Sequence, residues 1–151
     1  MLWNTEAGWL GPQPLAEDVG AGYLARAYIL NWAARVTRFY WYAWDDHHNQ
    51  QIELVHADNT TLTPAGKAFI YLHGWLTGAV MERCVTADGQ TWVCDLQKDG
   101  RPEHIVWSTS GGHSYQPPSS WQATQYTRLD GSVTKFSGEA IPIGLQPELI
   151  Q

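Results

Sequence analysis

Cysteine and charge are both scarce in this chain. Two cysteines among 151 residues allow one disulfide at most, so a disulfide-held scaffold is excluded. Charged residues make up 16%, with nine Lys and Arg against fifteen Asp and Glu and a formal net charge of −6. The basic residues form no cluster. Nucleic acid needs a basic patch to displace counterions and an anionic membrane surface needs a polybasic stretch, so neither is expected as a partner. No apolar run approaches the ~18 residues of a spanning helix. No basic segment followed by an apolar core marks a signal peptide at Met1, so the compartment stays unassigned. It would be secreted or periplasmic if a longer form carries such a signal. No glycine-rich phosphate loop follows a fitting strand and no Cys-His nucleophile pair is present, so no cofactor is expected.

What the chain does hold is aromatic and apolar. Hydrophobic residues reach 44%, with nine Trp and seven Tyr. That describes a globular chain, and nine indoles are too many to hide in one this short, so several belong in clefts or interfaces.

The organising stretch is Leu2–Trp9, LWNTEAGW. Leu2 and Trp3 suit a short strand, Glu6 sits where it ends, and Gly8 turns the backbone away before Pro12 and Pro14 bar any continuation. Glu17 and Asp18 then place negative charge at the start of a helix, 17–35, with Val19, Tyr23, Ala27, Leu30 and Ala34 at helical spacing. Thr37–Trp44, TRFYWYAW, has five aromatics in eight positions. Without helical periodicity, it predicts a parallel strand buried on both faces. Strand, helix and strand in 44 residues make a βαβ unit. Asp45–Thr61 is mostly polar and long for a connection, which predicts a functional loop. A second helix begins with Thr63 as N-cap and Pro64 at its first position, buries Phe69, Leu72 and Leu76 with Trp75 beside them, and ends at Gly78.

Beyond Gly78 the pattern changes to short strand-like segments separated by Asp88-Gly89, Asp99-Gly100, Gly111-Gly112, Pro117-Pro118 and Asp130-Gly131. This spacing predicts an antiparallel sheet or small sandwich over 79–151. Cys84 and Cys94 fall opposite each other across the Asp88–Gln90 turn, open either to a cross-strand disulfide or to two buried thiols. Residues 1–78 form the first domain. Two parallel strands and two helices are not a closed fold, so this half is expected to be the tail of a larger α/β structure whose remainder precedes Met1.

LWNTEAGW, TRFYWYAWDD, LTPAGKAFIYLHGWLTG and the β-rich tail, in that order, resemble the C-terminal part of retaining (β/α)8-barrel glycoside hydrolases, β-xylosidase and endoglycanase-like, with catalytic Glu on strands four and seven. The resemblance implies an α/β then all-β chain: the last two β/α units of a TIM barrel, incomplete, followed by an accessory β-sandwich. It implies a carbohydrate substrate, with Glu6 as the nucleophile ending strand seven and Trp44, ending strand eight, as a sugar platform. Asn4, Trp9, Asp45 and Asp46 are the further substrate-binding candidates. The acid/base Glu of strand four lies outside the sequence, so the chain requires the missing N-terminal barrel portion or self-associates, and alone is expected to be inactive. The Asp45, Asp46, His47, His48 run is too contiguous to converge on one ion, so no metal is expected. Trp92, Trp107 and Trp121 keep open an alternative, a non-catalytic carbohydrate-binding or accessory protein.

Overall fold

The computed structural model describes residues 1–11, 13, 15–45, 51–86 and 88–151. It divides into two compact units, Met1–Leu72 and His73–Gln151.

The first unit is α/β. Strand β1 (Trp3–Ala7) leads into helix α1 (Glu17–Ala33), strand β2 (Arg38–Trp41) and helix α2 (Pro64–Leu76), which runs on past Leu72. β1 and β2 pair in parallel, Trp3 with Arg38 and Asn4 with Phe39. The pairing is extended by N–H donation from Thr37 to the Leu2 carbonyl at 2.8 Å and from Tyr42 to the Ala7 carbonyl at 2.6 Å. A core of Leu24, Ile52, Leu54 and Ala65, with Tyr28, Trp41 and Phe69 against it, holds the helices to the strands.

Helix α2 starts as the sequence predicts. The Thr63 hydroxyl accepts the Gly66 N–H at 3.0 Å, satisfying one of the donors that a helix N-terminus leaves unpaired. Gly66 is required for a second reason: a Cβ there would lie 2.0 Å from the Leu54 carbonyl oxygen. Gly78, at φ +78°, supplies the left-handed residue just past the helix.

Three expectations are corrected. The buried stripe of α1 is Ala21, Leu24, Ala25 and Ile29, not the Val19-Tyr23-Ala27-Leu30-Ala34 line. Apolar residues lie nearly all round this helix, so spacing alone could not select the inward face. β2 is not buried on both faces: Tyr40 is 48% exposed, because the described residues put no layer over that side. The 45–61 connection is not simply a polar loop. Ile52, Leu54 and Val55 are buried. Asp58 closes the turn behind them, accepting N–H bonds from Thr60 and Thr61 at 2.9 and 2.8 Å.

The second unit is antiparallel. Strands β3 (Ala79–Thr86), β4 (Thr91–Lys98), β5 (Arg101–Ser108), β7 (Gln125–Thr127), β8 (Val133–Lys135) and β10 (Glu148–Ile150) form one sheet in the order β3-β4-β5-β10-β7-β8. A two-stranded sheet of β6 (His113–Tyr115) and β9 (Ile141–Ile143) makes a second layer. Val106, Tyr126, Phe136, Ile141, Ile143 and Ile150 form the core between them. Asp99 and Gly100, at φ 51° and 75°, turn β4 into β5 with both residues left-handed, as a tight hairpin requires. Cys84 pairs with Cys94 in the β3–β4 register, and their sulfurs are bonded.

Candidate active site

The chemistry-bearing end of the first unit is where β1 and β2 finish. Between the Asn4–Phe39 and Ala7–Trp41 partners, β1 advances three residues while β2 advances two. The surplus residue is a β-bulge spanning Thr5 and Glu6, a device that re-aims side chains. Without it, strict alternation would put Glu6 on the same face as Asn4, towards α1. With it, Thr5 and Glu6 are both exposed while Asn4 and Ala7 stay half-buried. Glu6 is thus exposed, one residue from the C-terminal end of its strand.

Trp44 follows the end of β2 and is 51% exposed. Its backbone is anchored, the carbonyl accepting the N–H groups of Leu54 and Val55 at 3.2 and 3.3 Å. A fixed backbone and a half-open indole suit a ring that stacks on a flat apolar ligand face. Asp45, the next residue, is exposed; Asp46, with His47 and His48, lies outside the described residues.

The other sequence candidates separate. Asn4 faces α1, its amide donating to the Asn31 side-chain oxygen at 3.3 Å, so it stands apart from Glu6. Trp9 packs on Tyr23 of α1 with ring centroids 4.8 Å apart, yet remains 45% exposed. Its carbonyl accepts the Gln51 N–H at 2.8 Å, which ties the segment after Glu6 to the one after Trp44. Among the described residues no group of three or more His, Cys, Asp or Glu is placed to hold a metal ion.

The indoles of the second unit are differently placed. Trp107 is fully buried and stacked on Trp92 at 5.6 Å, the two ring planes nearly parallel. Trp121 lies flat on the His104 imidazole at 3.7 Å. That imidazole bonds to Asp95 at 2.8 Å through Nδ1, and Arg83 donates to the same carboxylate at 2.7 Å. Burial, reinforced by the Asp95 charge, pushes the Tyr115 hydroxyl above the usual tyrosine range beside this row.

Sequence reasoning did not anticipate a surface cavity lined by Glu17, Gln51, Glu53 and His56. Glu17 reads in the sequence as a helix start, and nothing in the spacing of the other three signals convergence.

No family model matches the chain, and no curated protein matches it. Among solved structures it is similar to a GH30 endoxylanase from Clostridium papyrosolvens C71, with a TM-score of 0.61 and 11% sequence identity. The likeness covers 99% of this chain and 40% of that one. At that identity the shared property is the fold. The chain has a glycoside hydrolase-like fold and spans well under half the length of the protein it matches.

Proposed function

We propose that this chain is the C-terminal part of a retaining glycoside hydrolase, in which Glu6 is the nucleophile and Trp44 a platform for the sugar. The observation that carries the reading is the register shift at Thr5–Glu6, which leaves a carboxylate exposed near the C-terminal end of a parallel strand pair. The likeness to 40% of an endoxylanase chain supports it, and among the described residues β1 and β2 pair only with each other, as the last strands of a longer parallel sheet would. These two β/α units would be the last of a barrel, with catalytic groups at the C-terminal strand ends.

A retaining reaction needs a second carboxyl group ~5 Å from the nucleophile. In this reading it comes from a strand outside the chain. Glu6 attacks the anomeric carbon while that acid protonates the departing oxygen; water then displaces Glu6 from the glycosyl-enzyme, deprotonated by the same partner. The remaining strands are supplied by a preceding segment or a separate chain. Deprived of them, the open face favours self-association.

The test is Glu6→Gln in the polypeptide carrying all the barrel strands. The amide keeps the shape, but it exchanges one acceptor oxygen for an NH2 donor and cannot form the covalent ester. Hydrolysis should fall on the order of 10⁴-fold, as when a group acting in the transition state is removed. Oligosaccharide binding should survive. Undiminished turnover would refute the assignment. The alternative, a binding module using the Trp residues of the second unit, finds little support in a fully buried Trp107 and a Trp121 packed on His104.

A further inference from the structure

Glu6 lies between two fixed points of β1. Before the register shift, Thr37 donates its N–H and its hydroxyl to the Leu2 carbonyl, each at 2.8 Å, and Trp3 and Asn4 sit opposite Arg38 and Phe39. After it, the Tyr42 N–H donates to the Ala7 carbonyl at 2.6 Å. Asn4 is the last regular partner before the shift, and its side chain is tied outside the strand pair: the amide donates to the Asn31 side-chain oxygen at 3.3 Å.

Asn31 is itself held. It is half-buried in the last turn of α1, and its own amide donates to the Ala27 carbonyl, one turn earlier, at 2.8 Å. A carbonyl only accepts, so the NH2 end of the Asn31 amide lies at Ala27 and the oxygen is the end that meets Asn4. Asparagine is a poor helix former, because its side chain competes for backbone groups. Its presence in α1 adds nothing to the helix; it supplies an acceptor of fixed direction towards β1.

That acceptor discriminates between registers. The side-chain period of a strand is two, so a slip of one residue exchanges the faces. In such a slip Thr5 would take the place of Asn4. Its hydroxyl stands one bond nearer the backbone than the Asn4 amide nitrogen, so it reaches less far towards Asn31. The observed register, with the surplus residue at Thr5–Glu6 and Glu6 exposed, is the one in which Asn31 is satisfied.

We propose that Asn31 is a positioning residue for Glu6. By holding Asn4 against α1 it fixes where the surplus residue of β1 falls, and so where the carboxylate is presented. The inference rests on the hydrolase reading above, in which Glu6 attacks the anomeric carbon. A misplacement of ~1 Å caused by a change remote from the reacting atoms costs up to about 10²-fold in rate. Asn31 acts through Asn4, not on the reacting atoms.

The test is a double-mutant cycle of Asn4→Ala and Asn31→Leu in the polypeptide carrying all the barrel strands, with kcat and KM measured on xylohexaose. Each single variant should lower kcat about ten- to hundredfold with KM unchanged. The double variant should fall no further than the worse single, since both break one bond. Asn31→Asp separates positioning from stability. It loses the bond to Ala27 and should melt earlier, yet it keeps an acceptor for Asn4 and should retain most of kcat. If Asn31→Leu does not fold, Asn4→Ala set against Asn31→Asp carries the same comparison. The Tyr42 amide should also exchange its hydrogen faster in Asn31→Leu and Asn4→Ala, as its bond to Ala7 beyond the shift loosens. Unchanged kcat, losses that multiply in the double variant, or kcat that follows the melting temperature through Asn31→Asp would overturn the inference. While Glu6→Gln still abolished turnover, the hydrolase reading would stand. Unchanged protection of the Tyr42 amide would overturn the inference whether or not xylohexaose is cleaved, and turnover surviving Glu6→Gln would overturn both.

Discussion

The two units use the same residues to opposite ends. In Met1–Leu72 the large aromatics are half open: Trp3, Tyr40, Tyr42 and Trp44 are between 43 and 51% exposed. In His73–Gln151, five successive residues of β5, His104–Ser108, are buried, Trp107 completely. The second unit is antiparallel, and each of its strands pairs with a neighbour this chain supplies. The first is built from a parallel pair, whose neighbours must come through long crossovers. An exposed indole therefore means a packed core seen from its rim in one unit. In the other, under the proposed function, it is a surface for a ligand or for more strands.

The sharpest way to break that contrast is the Glu6→Gln variant already described, set against Trp121→Ala in the same complete polypeptide. The first should abolish turnover. The second removes a ring stacked on His104 and should cost stability, about 3–5 kcal/mol for a buried tryptophan and less here because Trp121 is only partly covered, with kcat unchanged. Loss of catalysis from Trp121→Ala in a protein that still folds would dissolve the distinction.

Next in size is Gly66→Ala. The added methyl would meet the Leu54 carbonyl at 2.0 Å, backbone against backbone, where no side chain can swing away. Overpacking of this kind costs about 1–3 kcal/mol, and more when the blocking atom is fixed. Denaturant unfolding followed by Trp fluorescence should show an early transition in the first unit, with the β-unit signal retained. A single unshifted transition would mean that α2 sits further from Leu54 in solution.

How far the residues announced all this differs by region, for physical reasons. Local chemistry was legible: the Thr63-Pro64 helix start, the Gly78 stop, the Asp99-Gly100 hairpin and the opposition of Cys84 to Cys94 all depend on neighbours in sequence. The bulge was not, because an extra residue in a strand is defined only against its partner, and β2 lies a whole helix away. Nor was β10. Its three residues, Glu148, Leu149 and Ile150, sit between β5 and β7, and a charged residue gives no sign that it will be buried. For the same reason Asn4 reads as a site neighbour of Glu6 but packs against α1.

That buried Glu148 gives the β unit a pH signature that Glu6 does not share. Burial pushes its carboxyl up to about 7, against the pull of Arg128, whose Nε donates to it at 3.3 Å. Its other oxygen has no hydrogen-bond partner among the described residues. A folded pKa above the unfolded value stabilises fully below ~4.5 and loses that contribution as pH rises through 7. Between pH 8 and pH 5 the β unit should therefore gain on the order of 2–3 kcal/mol. Below that, Asp88, held well below the usual range first by the Thr91 N–H and then by the Gln90 N–H, acts in the opposite sense. Thermal unfolding of wild type and Glu148→Gln across this range measures it. The variant should flatten the profile above pH 5; an identical slope would assign the dependence elsewhere.

The smallest effect has the opposite sign. Gly74, like Gly66, lies within α2, but a Cβ there meets nothing within 4 Å. Glycine inside a helix costs roughly 0.5–1 kcal/mol relative to alanine, chiefly through the freedom it gives the unfolded chain. Gly74→Ala should raise the midpoint of unfolding by that amount. Lys98, whose ammonium donates to the carbonyls of Gly74 and Trp75, should be undisturbed, since the new methyl leaves the backbone where it is. One helix would then carry two glycines whose replacement by the same residue moves stability in opposite directions. If Gly74→Ala also destabilises, the added methyl meets a neighbour in solution, and the contrast between the two glycines of α2 fails.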